Sequence, residues 1–77
     1  MFETLKKLLA EEFGIDEDTI TEESRLEADF GINSLDLAEL AFRIEDEFGI
    51  EVKDEDIPAL ITVGDVANYI EKKKEEN

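Results

Sequence analysis

The chain has 77 residues and a formal net charge of −15, from 23 acidic and 8 basic residues. Such a charge repels nucleic acids and anionic membrane surfaces, so neither is expected as a partner. The sequence contains no cysteine and no histidine, which excludes disulfides, thiol catalysis and the usual zinc ligands. Apolar residues make up 42% of the chain and recur periodically, so we expect one folded domain over residues 1–77.

The first segment, MFETLKKLLAEEFG, is amphipathic and carries acids, which is unlike a signal peptide. Elsewhere no apolar run approaches the roughly 20 residues that a membrane span needs. From these features we expect a cytoplasmic protein without a membrane span. We also expect the chain to be a monomer.

Three segments carry an apolar residue at every third or fourth position, which is the spacing of one helical face. This pattern predicts helices over Phe2–Phe13, Ser34–Phe48 and Val63–Lys73. Gly14 and Gly49 follow the first two segments and are expected to end those helices in the left-handed conformation. Thr62-Val63-Gly64-Asp65 fits a capping box at the start of the last helix.

The connections between these helices are of different kinds. Residues 14–33 are predicted as a long first loop, in which the tripeptide Phe30-Gly31-Ile32 precedes a helix and does not end one. The stretch DEDIPALI predicts one short helical turn, because Pro58 limits its length. We therefore predict an all-α fold, a four-helix bundle with three main antiparallel-type helices, one short helix and the long first loop.

Ser34 opens the second predicted helix, and two interpretations of it are open. A serine in this position is usually the N-cap. Asn33 is an equally good cap, with Asp36 at N3, and Ser34 would then be the first helical residue with its hydroxyl facing water. Unpaired N–H groups and a partial positive charge at such a helix start suit an anion, such as a phosphodiester. Because no histidine can activate the hydroxyl, the chain is not expected to be an enzyme.

The same helix has an unusual outer face. At about 100° per residue, Leu35 and Phe42 point almost opposite the apolar stripe that centres on Leu37, Ile44 and Phe48. Two large apolar side chains on an acidic face predict a docking strip for a protein partner. The alternative is that they are ordinary scattered surface hydrophobes.

At these residues the sequence resembles the acyl carrier protein family. The resemblance covers essentially the whole chain and is closest in GINSLDLAELAFRIEDEFGIEV and ITVGDVANYI. Ser34-Leu35 matches the family's attachment serine and its neighbour, and Thr62-Val63 matches the start of its last helix. The resemblance implies that Ser34 receives 4′-phosphopantetheine from coenzyme A, whose thiol then carries acyl groups as thioesters in fatty-acid, polyketide or specialised lipid biosynthesis.

The resemblance also implies partners and their contact residues. The partners are a Mg²⁺-dependent phosphopantetheinyl transferase (holo-acyl-carrier-protein synthase) and acyl synthases or transferases with basic docking patches. The positions implied to contact them are Leu35, Asp36, Glu39, Phe42, Glu45 and Asp46. A cleft for the acyl chain is implied between the second main helix and the short helix that follows it, and its candidate lining residues are Leu40, Ile44, Leu60 and Ile61. For each of these four, the alternative is that it simply fills the core.

Three residues depart from the family pattern. Asn33 replaces the usual aspartate before the serine, Pro58 interrupts the short helix between the second and last main helices, and Arg43 adds a cation to the acidic face of the second helix. These changes leave the attachment role intact, but they raise the question of whether the carrier serves general fatty-acid synthesis or a specialised pathway.

Other functions fit parts of the sequence. A peptidyl or aminoacyl carrier would use the same arm, and a non-carrier acidic helical interaction module would use Ser34 only as a cap. A calcium-binding loop over Asp16–Glu27 fails, because Ile20 and Thr21 occupy the positions of an oxygen ligand and a glycine. No specific metal site is therefore expected.

Overall fold

The computed structural model describes residues 1–76. The described chain is almost entirely helical and contains no β-strand, only an isolated antiparallel bridge between Arg25 and Thr62. Its α-helices are α1 (Phe2–Phe13), α2 (Leu26–Phe30), α3 (Ser34–Phe48) and α4 (Val63–Glu76), and 3₁₀ turns span Glu17–Thr19 and Asp54–Ala59. The predicted all-α bundle with three main helices is confirmed. In residues 1–76, none of the helices combines the length and apolarity that crossing a bilayer requires.

The three long helices bury the apolar faces that their periodicity predicts. The buried side chains of these faces are Leu5, Leu8 and Leu9 in α1, Leu40, Ala41 and Ile44 in α3, and Val63, Val66, Ala67 and Ile70 in α4. Burial of each leucine or isoleucine stabilises the fold by about 2 kcal/mol relative to exposure. Because a surface ion pair contributes about 1 kcal/mol or less, this shared core is what holds the helices together.

Three of the helices end in the same way, at a glycine. Gly14, Gly31 and Gly49 have φ angles of 68°, 70° and 66°, the left-handed conformation that glycine adopts without steric cost. This outcome is as predicted for Gly14 and Gly49. The prediction for the middle tripeptide was wrong in part, because Phe30-Gly31-Ile32 precedes α3 but also ends α2.

The first connection is more ordered than the predicted loop. It contains the Glu17–Thr19 turn and the five-residue helix α2, and it buries Ile20, Leu26 and Ile32 in the core. The sequence did not predict α2, because five residues with a single buried side chain carry no measurable helical period. These apolar anchors hold the connection along the bundle.

The start of α4 is fixed by a capping box and by the first connection. Thr62 Oγ1 accepts from the Asp65 N–H at 3.0 Å, and Asp65 Oδ2 accepts from the Thr62 N–H at 3.0 Å, as predicted. Backbone hydrogen bonds of 2.9 Å also run from Leu26 N to Ile61 O and from Gly64 N to Glu22 O. As a result, α2 lies beside residues 61–64. At its other end α4 continues to Glu76, three residues beyond the predicted end at Lys73.

Candidate functional site

Asn33, and not Ser34, caps α3. Its side-chain Oδ1 accepts from the Asp36 N–H at 2.9 Å, and its own N–H donates to Asp36 Oδ2 at 3.4 Å. These two bonds form the reciprocal capping box that the sequence offered as one of two alternatives. Ser34 is consequently the first residue of the helix.

The Ser34 hydroxyl is available for chemistry. The residue is exposed, and no hydrogen bond joins its hydroxyl to any of residues 1–76. The cap occupies the N–H of Asp36, while the N–H groups of Ser34 and Leu35 have no partner in the described chain. Two free donors at the positive end of a 15-residue helix favour an anion next to the hydroxyl.

A pocket of about 470 Å³ opens beside Ser34. It lies between α2, the first turn of α3 and the segment that leads into α4. Its apolar lining residues are Leu26, Ala28, Ile32, Leu37, Pro58, Leu60 and Ile61. A larger cavity of about 600 Å³ lies at the far end of α3, beside Glu47 and Phe48, and is therefore remote from the hydroxyl.

Two of the four residues predicted to line an acyl cleft lie at this pocket. Leu60 and Ile61 line it, whereas Leu40 and Ile44 lie in the core at 0% and 2% exposure and are not among its lining residues. The apolar side chain of α3 that lines the pocket is Leu37, one turn nearer to the helix start than Leu40. Sequence reasoning also missed the α2 side of the pocket, because α2 itself was not predicted.

The outer face of α3 is a continuous exposed strip. Leu35 and Phe42 are 76% and 68% exposed, and Glu39 and Asp46 are exposed between and beyond them. Their spacings of four, three and four residues place all four on one helical face. We call these four residues the α3 strip. Ile61, at 57% exposure, is a further exposed apolar side chain at the pocket.

The other residues predicted to contact partners are engaged within the chain. Asp36 belongs to the capping box, and Glu45 Oε2 accepts from the Val52 N–H at 2.8 Å. Arg43, which the sequence placed in the acidic strip, instead pairs with Glu12 of α1 at 2.7 Å. The strip therefore keeps its negative charge, and Arg43 links α3 to α1.

Comparison with known proteins gives the family. The family model for the phosphopantetheine attachment site matches residues 3–70. The acyl carrier protein of Thermotoga maritima is 45% identical over 73 residues, which cover 95% of this chain and 90% of the relative. The chain belongs to the acyl carrier protein family.

Solved acyl carrier proteins share this fold. One from Thermotoga maritima superposes with a TM-score of 0.83 at 30% identity, covering 99% of this chain and 94% of its own. One from Enterococcus faecalis superposes with a TM-score of 0.80 at 30% identity, with coverages of 94% and 91%. The resemblance inferred from the sequence is thereby confirmed.

The family match also confirms the expected cofactor, phosphopantetheine. The residues of this chain fit such a group. An unpartnered hydroxyl at a helix start can form a phosphodiester, and the two free N–H groups beside it can bind the phosphate oxygens. The apolar pocket next to that hydroxyl can shelter what the arm carries.

Proposed function

We propose that Ser34 is the attachment residue for 4′-phosphopantetheine and that this acyl carrier protein carries acyl groups in fatty-acid or related biosynthesis. The observation that carries the proposal is the geometry of the Ser34 hydroxyl. It is exposed at the first position of α3, has no partner within the described chain, and adjoins an apolar pocket.

The chain contributes position and electrostatics, and it is proposed to contribute no catalysis. The Asn33 cap fixes the first turn of α3, so that Ser34 is presented in one orientation. The free N–H groups of Ser34 and Leu35 would bind the phosphate. With no histidine in the chain, the base that takes the serine proton must come from a transferase. Once attached, the cofactor supplies the thiol that the cysteine-free chain lacks.

The α3 strip is proposed as the surface that this transferase and the acyl synthases recognise. Glu39 and Asp46 would meet a basic patch, and Leu35 and Phe42 would enter apolar pockets on the partner. Charge complementarity with a chain of net charge −15 would also speed the encounter, most strongly at low salt.

The attachment is tested by mass spectrometry. The unmodified chain is incubated with coenzyme A, Mg²⁺ and a broad-specificity phosphopantetheinyl transferase, and its intact mass should rise by one phosphopantetheinyl unit. Ser34→Ala should abolish the gain. Thr4→Ala, which removes another exposed hydroxyl, should leave the gain unchanged. A modified Ser34→Ala chain would refute the assignment, and no gain with several transferases would favour a non-carrier module.

A further inference from the structure

One wall of the pocket beside Ser34 is a weakly held segment. The Asp54–Ala59 turn leads directly into Leu60 and Ile61, and its Pro58 lines the pocket. The turn is a 3₁₀ helix, it buries no side chain completely, and Pro58 cannot donate a backbone hydrogen bond. Its apolar anchor is the half-buried Ile57, which packs against the core, and with no fully buried side chain in the turn local opening should be easy.

Tyr69 holds this segment from the side of α4. Its hydroxyl donates to Asp56 Oδ2 at 2.6 Å and accepts from the Lys53 N–H at 3.3 Å. One phenol thus binds both the residue that precedes the turn and the middle of the turn. The backbone of Tyr69 is itself well fixed, because Val66 and Ile70 on the same helix are buried at 1% and 0% exposure.

We propose that Tyr69 is a positioning residue of the carrier, and that its hydroxyl holds the Asp54–Ala59 turn in place and so sets the width of the pocket beside Ser34. The inference rests on the proposed function, because it gives the pocket the task of sheltering an acyl group. The acceptor of the Tyr69 hydroxyl is the carboxylate of Asp56, and a hydrogen bond to a carboxylate is stronger than one between neutral groups. Without it, Pro58 and the turn would move away from α4 more often.

Hydrogen exchange of the unmodified chain tests the positioning role alone. In Tyr69→Phe and in Asp56→Ala, amide exchange over residues 53–60 should accelerate roughly three- to tenfold, while amides of α1 and α3 should not change. Glu55→Ala removes an equal charge from the same turn and is the matched control, which should match the parent. Because Tyr69→Phe already removes the bond that Asp56→Ala breaks, together with the bond from the Lys53 N–H, the double variant should exchange no faster than Tyr69→Phe.

A thioester assay tests the consequence for the pocket. The transferase loads each variant from octanoyl-coenzyme A, and the rate of thioester cleavage by hydroxylamine is measured. Cleavage should be several-fold faster in Tyr69→Phe and Asp56→Ala than in the parent and in Glu55→Ala.

The two assays separate the possible failures. Exchange that is unchanged, or that rises equally in every helix, would overturn the positioning role, and unchanged cleavage would overturn the link to the pocket. If the parent chain cannot be loaded at all, the proposed function fails. The exchange result then still decides whether Tyr69 holds the turn, because that measurement does not involve Ser34.

Discussion

Asn33→Ala is the sharpest test of how the site is built, because it removes the cap of α3 without touching the hydroxyl. The substitution deletes the oxygen that accepts from the Asp36 N–H at 2.9 Å. It leaves Ser34 and the rest of the helix in place, and at the pocket it shortens only the polar side chain of Asn33, which is one of the lining residues. If Asn33 presents Ser34, both the stability of the chain and the rate of cofactor attachment should fall.

The expected loss of stability is about 1 kcal/mol, in the middle of the range for N-cap replacement. Asp36 is only half-buried, so water can reach its freed N–H and the cost of an unpaired buried donor does not arise. The reciprocal bond is long at 3.4 Å and contributes little. In a chain of this size such a loss lowers the melting temperature by about 4–8 °C.

Urea unfolding followed by far-ultraviolet circular dichroism measures this loss. The midpoint should fall by about 1 M urea for Asn33→Ala, because the free energy of unfolding of a small domain falls by about 1 kcal/mol per molar urea. Asn33→Asp is the matched control, since its carboxylate can accept the same bond and suits the helix start. It should stay within about 0.5 kcal/mol of the parent.

Two results would refute this account of the helix start. Equal losses in Asn33→Ala and Asn33→Asp would mean that the side-chain oxygen at this position does not cap. A larger loss in Ser34→Ala than in Asn33→Ala would assign the cap to the serine instead. Its hydroxyl would then be occupied in the folded chain, contrary to the geometry of α3.

Two further predictions concern the fold around the site. Burial, and next the hydrogen bond to Asp56, raise the pKa of Tyr69 above its usual 10.0, so the folded chain holds the phenolic proton more tightly than the unfolded chain. The resulting stabilisation should be complete below pH 10.0 and lost as the pH rises beyond it, and the ultraviolet absorbance of this single tyrosine follows the titration directly. Ionisation at or below the ordinary pKa would contradict the burial. A Cβ added in Gly64→Ala would lie 3.0 Å from the Glu22 carbonyl oxygen, so the variant should be about 1 kcal/mol less stable, although alanine normally favours a helix. Asn68→Ala, on the exposed side of the same helix, should be at least as stable as the parent, and a stabilised Gly64→Ala would refute the close approach.

The three long helices were predictable because each repeats its apolar residues over three or four turns. α1 and α3 have the predicted bounds, and only the end of α4 was placed three residues early. α2 could not be predicted in this way. It buries only Leu26, and its position depends on the bond from Leu26 N to Ile61 O, which joins residues far apart in the sequence. The spacing of apolar residues within a short segment does not predict such a tertiary contact.

In the site, too, features within one helix were predictable from the sequence and features that depend on tertiary contacts were not. The position of Ser34, its alternative cap and the exposed α3 strip follow from spacing within one helix, and the structure has each of these features. The pocket is formed by separate segments, and its lining depends on how far along α3 they cross. For this reason Leu37 faces the pocket while Leu40, one turn later, enters the core.

The distribution of ion pairs explains how the strip can stay charged without unfolding the chain. Among residues 1–76 the ion pairs are Lys6–Glu3, Lys73–Glu76 and Arg43–Glu12, and none involves Glu39 or Asp46. Only Arg43–Glu12 joins two helices, so the apolar core, and not charge pairing, must offset the repulsion of a net charge of −15. Because no cation of the described chain pairs with the strip, a basic partner would displace no internal contact there. Its attraction to the strip would therefore be opposed by desolvation and by salt screening, but by no lost internal ion pair.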